Sequence, residues 1–153
     1  MSVPTWKRNL SKTEFLYKTY LLEKNLVQFI YNTPSKYRRG FGDTIIGLCD
    51  SAMYNGRIAN GIYVKDKESL NLRLYHLEQM KAAIDNICTH VYIWVEAMRQ
   101  HDGISSKDNE KLYDKEYDIG LYCDEIISLV EGVKRSDKKL YKTKIKKEET
   151  AHS

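Results

Sequence analysis

After Pro34 the chain contains no further proline, so no residue beyond it lacks the backbone N–H that a helix uses. Over most of that length apolar residues return at alternating steps of three and four, the period of a helix burying one face. The longest run takes in Leu70, Leu74, Leu77, Ile84, Cys88, Val91, Val95 and Met98; Lys81 breaks it, and Met80, Ile87 and Trp94 widen it. No alternating run of comparable length argues for a strand. A chain patterned this way buries its apolar residues by packing helix on helix.

Three further segments share the rhythm. The first helix starts at Ser11, with Glu14 three residues on as a capping box. It carries Leu16, Tyr20, Val27 and Ile30 beside a row of Phe15, Leu22, Leu26 and Phe29, and stops near Asn32 because Thr33 precedes proline. The second holds Phe41, Ile45, Leu48, Ala52, Ala59 and Ile62, interrupted by Asn55. The third is the long run above, starting after Asp66. The fourth follows the loop HDGISS, is capped by Ser105 or Ser106, and carries Leu112, Ile119, Cys123, Ile126, Val130 and Val133. Four long amphipathic helices with short loops predict an all-α, up-and-down antiparallel four-helix bundle over residues 11–140. A basic N-terminal arm, 1–10, and a lysine-rich disordered tail, 141–153, flank it.

Five of the eight glycines, Gly40, Gly42, Gly47, Gly56 and Gly61, crowd into the second helix. An interior glycine costs about 1 kcal/mol relative to alanine. Gly40 and Gly42 loosen the helix entry and Gly61 stops it. Gly47 and Gly56 point either to close approach by another helix or subunit, or to an irregular helix.

No constellation of catalytic residues emerges. His76, His90, His101 and His152 stand outside every H-E-x-x-H, C-x-x-C or Glu-x-x-His pattern. GFGDTIIG lacks the preceding strand that would give its glycines a phosphate-binding context. The acidic run DNEKLYDKEYD is interspersed with Lys111 and Lys115 and reads as a solvated or salt-bridging face. The expectation is a non-enzyme without metal or cofactor. Cys49, Cys88 and Cys123 lie far apart at apolar helical positions, as reduced core thiols do in a cytosolic protein. MSVPTWKRNL has no apolar run behind its early charge, and no segment approaches the ~20 apolar residues of a membrane span. Both features predict a cytoplasmic protein with no membrane partner.

The net charge of +4 conceals a sharper distribution. Residues 1–42 hold eight basic and two acidic side chains, net +6, and residues 134–153 hold eight and three, net +5. Between them, residues 102–133 hold three and nine, net −6. Such asymmetry fits a polyanion partner, self-association through opposite patches, or two solvated basic ends. Lys36, Arg38 and Arg39, interleaved with Tyr37, fall at the start of the second helix, where the macrodipole disfavours cations. Either a phosphate backbone offsets that charge, with arginine forks on phosphate and Tyr37 stacked on a base, or the side chains splay into water at a cost of a few tenths of a kcal/mol. Arg57, Lys134, Arg135, Lys138 and Lys139 add charge, and Lys142, Lys144, Lys146 and Lys147 continue it into the tail. Cations of this kind bind nucleic acid through counterion release. The candidate nucleic-acid contacts are therefore Lys36, Tyr37, Arg38, Arg39, Arg57, Lys134, Arg135, Lys138 and Lys139. Trp6, between Thr5 and Lys7 in the basic arm, is placed to dock on a partner or a neighbouring subunit.

The order of these features resembles a known family. A helix ending in NTPSKYRRGFGDTI, the helix LRLYHLEQMKAAIDNICTHVYIWV and a last helix with YDIGLYCDEIISLVEGVKRS are similar to the bacterial four-helix-bundle proteins. Some of these were named for intervening sequences in large-subunit ribosomal RNA genes; others are the accessory variability determinant proteins of diversity-generating retroelements. Pro34, Lys36, Tyr37, Gly42 and Ile45 stand in the places of the family's hallmark, and Gly132 to Ser136 resemble its helix-four ending. The resemblance covers roughly residues 13–137. It implies a non-enzymatic accessory protein, assembled as a basic ring-shaped homopentamer, that binds the cognate reverse transcriptase and RNA or DNA. The alternative is a structural or protein-interaction bundle of the same family with no nucleic-acid role, packing the acidic face of its last helix on a neighbour's basic patch.

Overall fold

The computed structural model describes residues 10–102 and 106–152. The protein is all-helical: α1 spans Leu10–Tyr31, α2 Asp43–Gly61, α3 Lys67–Asp102 and α4 Ser106–Ala151. A single turn, Ser35–Tyr37, and a π-helical turn, Arg38–Gly42, feed into α2 without a break. No strand occurs among the described residues. The basic arm up to Asn9, with Trp6, the loop around Ser105, and the capping side chains of Ser11 and Ser106 lie outside them.

Each helix boundary has a local cause. Pro34 forbids Thr33 a helical backbone, and the Thr33 hydroxyl turns back to donate to the Ile30 carbonyl at 2.8 Å. At the start of α3, Asp66 accepts the Ser69 N–H at 2.7 Å while the Ser69 hydroxyl accepts the Asp66 N–H at 3.1 Å, a reciprocal cap. These two donors from Ser69 hold the Asp66 carboxyl below the ordinary aspartate value.

Packing follows chain order, α1 on α2, α2 on α3, α3 on α4, and α4 back on α1. Between α3 and α4, Arg73 meets Asp137, Lys81 meets Glu131 and Arg99 lies over Tyr113. The numbers rise on one helix as they fall on the other, so the pair is antiparallel. Phe41 on Trp94, Asn55 on His76 and Ala59 on Arg73 make α2 and α3 antiparallel as well. The arrangement is compatible with a helical bundle around one core.

Most of the α3 seam is buried as its spacing predicts, with Leu70, Leu77, Met80, Ile84, Ile87, Val91, Trp94, Val95 and Met98 inside, while Leu74 and Cys88 at its edge are only partly buried. On α1 the two adjacent apolar rows resolve in favour of Phe15, Leu22, Leu26 and Phe29, joined by Leu16. Tyr20 turns to the flank, and Val27 and Ile30 are half-buried. Thr19 takes the inner position, its hydroxyl donating to the Phe15 carbonyl at 2.7 Å so that no polar atom is stranded.

The helix-two glycines separate into two kinds. A Cβ on Gly56 would stand 2.8 Å from both Leu16 Cδ2 and Met80 Sδ, so α1, α2 and α3 converge there as closely as hydrogen allows. Around Gly47 the chain leaves open space. Close approach explains Gly56 alone of the two.

The tail differs from its expectation. Instead of becoming disordered at 141, α4 continues to Ala151. Its lysines and glutamates are good helix formers, and neither glycine nor proline follows Gly132. Tyr141 and Ile145 are partly buried, and Lys144 Nζ donates to the Lys65 carbonyl at 3.1 Å, tying the segment to the α2–α3 connection.

Candidate nucleic-acid interface

The cations before α2 sit beside the end of another helix. The last turn of α1 leaves carbonyls without helical partners, and Arg38 reaches back to them: Nη2 donates to the Tyr31 carbonyl at 2.9 Å and Nε to the Thr33 carbonyl at 3.2 Å. A cation there meets the negative end of the α1 dipole. Arg38 is therefore a clamp on the α1 C-terminus, and this accounts for one of the three charges that looked misplaced.

Lys36 and Arg39 are exposed. The Lys36 ammonium lies 5.2 Å from the centroid of the Tyr37 ring, which is half-buried and 6.4 Å from Phe41. Phe41 stacks on Trp94 at 5.6 Å, and Trp94 meets the edge of Phe29 at 5.1 Å. This aromatic chain anchors the entry turn to the core. The π-helical turn places Gly42 against Ile30, 3.4 Å from where its Cβ would be. Tyr37 is committed to that packing on one side.

The second cluster is built around an ion pair. Arg73 Nε donates to Asp137 Oδ2 at 2.6 Å, with both side chains largely buried. Arg73 Nη1 also donates to the Ala59 carbonyl at 2.6 Å, so a second arginine clamps the C-terminus of α2. Three residues before Asp137, Lys134 is held by Glu78 and Glu131 with little of its side chain exposed. Burial pulls its ammonium below the ordinary lysine value, and Lys138 adds to this. Of the four cations assigned to this stretch, Lys134 is thus spent inside the fold, while Arg135, Lys138 and Lys139 are exposed.

Helical continuation extends that exposed set. Arg135, Lys138, Lys139, Lys142 and Lys146 fall at steps of three and four, on the face opposite Asp137 and Lys144. All five are exposed, and among the described residues none of them is in an ion pair. They form a line of positive charge roughly 16 Å long.

Arg57 joins neither cluster. It is exposed on α2 beside Glu23, Asp50 and Tyr54. Burial raises the Glu23 carboxyl above its ordinary value, Asp50 adds to the rise, and Arg57 opposes it. Arg57 accordingly faces carboxylates, an environment that weakens phosphate binding. The two basic clusters lie at opposite ends of α2: Lys36 and Arg39 precede its start, while Arg73 ties Asp137 of α4 to the Ala59 carbonyl near its end. The structure does not bring the predicted contacts into one site.

Compared with protein-family models, curated proteins and solved structures, the chain matches none. What it carries must be read from its own residues. Among the described residues no group of three or more His, Cys, Asp or Glu side chains is placed to hold a metal ion, and no helix is long and apolar enough to cross a membrane. His76 is occupied by the Asn55 side-chain oxygen at 2.8 Å.

The acidic half of α4 contains a feature its sequence only half revealed. Tyr113, Tyr117 and Leu121, at successive steps of four, are exposed along one face of α4, flanked by Asp114, Glu116 and Asp124. Arg99 stacks on Tyr113 at 4.9 Å. Burial, and then Glu96, lift the Glu116 carboxyl above its ordinary value, with Arg99 opposing. Sequence reasoning noted the acids and passed over the apolar stripe between them, although its spacing was visible.

Proposed function

We propose that this protein is a non-catalytic accessory factor of a diversity-generating retroelement, binding the cognate reverse transcriptase together with template RNA or cDNA in support of mutagenic reverse transcription. The observation that carries the nucleic-acid part is the line of exposed cations on α4, Arg135, Lys138, Lys139, Lys142 and Lys146, in no ion pair among the described residues. A straight, regular rail of this length suits a phosphate backbone, because counterion release rewards each neutralised phosphate whatever the base sequence. Lys36 and Arg39 at the other end form a second, smaller patch. The resemblance in NTPSKYRRGFGDTI and the closing helix supports the retroelement setting and a ring-shaped homopentamer of up-and-down bundles in the cytoplasm.

A second reading, a structural oligomer without nucleic acid, is favoured by the Tyr113–Tyr117–Leu121 stripe and its acidic rim, which complement a basic surface on another protein. Size-exclusion chromatography with light scattering and two-wavelength absorbance separates the two. A ring-sized oligomer that carries nucleic acid and releases it in high salt is the expected result. An oligomer free of nucleic acid at low salt supports the second reading and removes the first.

A further inference from the structure

The fold brings together thiols that the sequence keeps apart. The antiparallel register between α3 and α4, fixed by Lys81 with Glu131 on one side and by Arg99 over Tyr113 on the other, sets Cys88 opposite Cys123. The two thiols are close enough that each perturbs the ionisation of the other. Cys123 is fully buried, whereas Cys88 is half-buried and open on one side. Cys49 is buried on α2.

The three thiols differ in chemistry as well as place. The neighbouring Cys123 thiol brings the Cys88 thiol below its ordinary value against the opposing effect of burial, and Cys88 together with burial drives Cys123 upward. Of the two facing thiols, Cys88 is therefore the one that gives up its proton more readily, although burial, Asp124 and Asp85 oppose its ionisation. Burial, then Glu23 and Asp50, push the Cys49 thiol up to about 12, which leaves it inert. A partly exposed thiol facing a buried one across two packed helices is an arrangement that oxidises reversibly to a disulfide.

We propose that Cys88 and Cys123 are a hydroperoxide-reactive pair whose oxidation joins α3 to α4 by a disulfide. The Cys88 thiolate attacks one oxygen of hydrogen peroxide, the O–O bond breaks, and Cys88 becomes a sulfenic acid as hydroxide leaves. That hydroxide takes the Cys123 proton to form water. The Cys123 thiolate then attacks the Cys88 sulfur, the S–O bond breaks, and the second hydroxide is protonated by the proton Cys88 had given up to solvent. Two thiols lose two electrons, and peroxide is reduced to two waters. The bond closes a loop that includes the α3–α4 connection and fixes the two helices against each other, and a dithiol reductant reverses it.

The test uses the full chain, reduced and then treated with a small excess of hydrogen peroxide before alkylation. The expected result is an intact mass lower by about 2 Da, a linked Cys88–Cys123 peptide, alkylation retained at Cys49, and a thermal midpoint raised by several degrees. Dithiothreitol should restore the starting form. In Cys123→Ala the sulfenic acid on Cys88 persists and is trapped by dimedone; in Cys88→Ser the mass loss disappears. A linkage through Cys49, disulfides only between chains, oxygen addition without a cross-link, or an unreactive Cys88 in the wild-type chain would each overturn the proposal. The wild-type peptide map decides the matter even where a variant fails to fold.

Discussion

Arg73 and Asp137, 64 residues apart, are joined by a 2.6 Å hydrogen bond that spans α3 and α4, and the same guanidinium closes the end of α2 through the Ala59 carbonyl. One side chain thus ties three helices together. Removing either partner leaves a largely buried charge with part of its hydrogen bonding lost. Asp137→Ala is expected to cost about 2 kcal/mol and Arg73→Ala about 3, because the second change also uncaps α2. Urea unfolding of both variants and the double variant gives the coupling. A double variant less destabilised than the sum by at least ~1 kcal/mol supports the shared node; strict additivity would contradict it.

The two glycines of α2 should respond to alanine with opposite signs. At Gly47 the methyl group meets open space, and the gain in helix propensity stabilises by about 0.5–1 kcal/mol. At Gly56 it presses on the ends of the Leu16 and Met80 side chains, both fully buried, and overpacking outweighs propensity by about 1 kcal/mol. Thermal unfolding of G47A and G56A compares them directly. Equal stabilisation of both would mean that α1 and α3 yield at Gly56, contrary to the packing described.

The basic entry turn divides by role. Arg38→Ala removes the clamp on the α1 carbonyls and should lower stability by about 1 kcal/mol. Lys36→Glu with Arg39→Glu touches only exposed side chains and should leave stability within about 0.5 kcal/mol while weakening RNA binding. Denaturant melts and an RNA titration on the same samples distinguish the two effects. If Arg38→Ala weakens RNA binding with no loss of stability, Arg38 is a phosphate contact instead.

Much of this fold was legible because its signal is redundant. The α3 seam repeats so often that the polar interruption at Lys81 does not disturb it, and Lys81 itself finds Glu131 at 3.2 Å. The α1 rows were harder, since two neighbouring stripes are both apolar and the deciding residue, Thr19, is polar until its back-bond to Phe15 is known. Asp137 was within reach, four residues beyond Val133 on the α4 seam, where a buried carboxylate calls for a cation. The role of Arg38 was not, because it depends on where the α1 terminus lies relative to the turn that follows. Nor was the meeting of Cys88 with Cys123, which needs the register of two helices. The division of the basic residues into two distant groups likewise needs the packing of α4, since Arg73 with Asp137 and Ala59 places the second group at the far end of α2.

Fluorescence anisotropy with a single-stranded RNA oligomer over a range of salt concentrations tests whether the α4 face bears the phosphates. It compares the wild-type chain with the combined Arg135→Ala, Lys138→Ala and Lys139→Ala variant, after circular dichroism has shown equal helicity. With the α4 face bearing the phosphates, the variant binds more weakly, and its dependence of log Kobs on log salt is shallower by about 2. Affinity and slope unchanged by the three substitutions, or a wild-type chain that leaves the RNA unbound at low salt, would contradict the account.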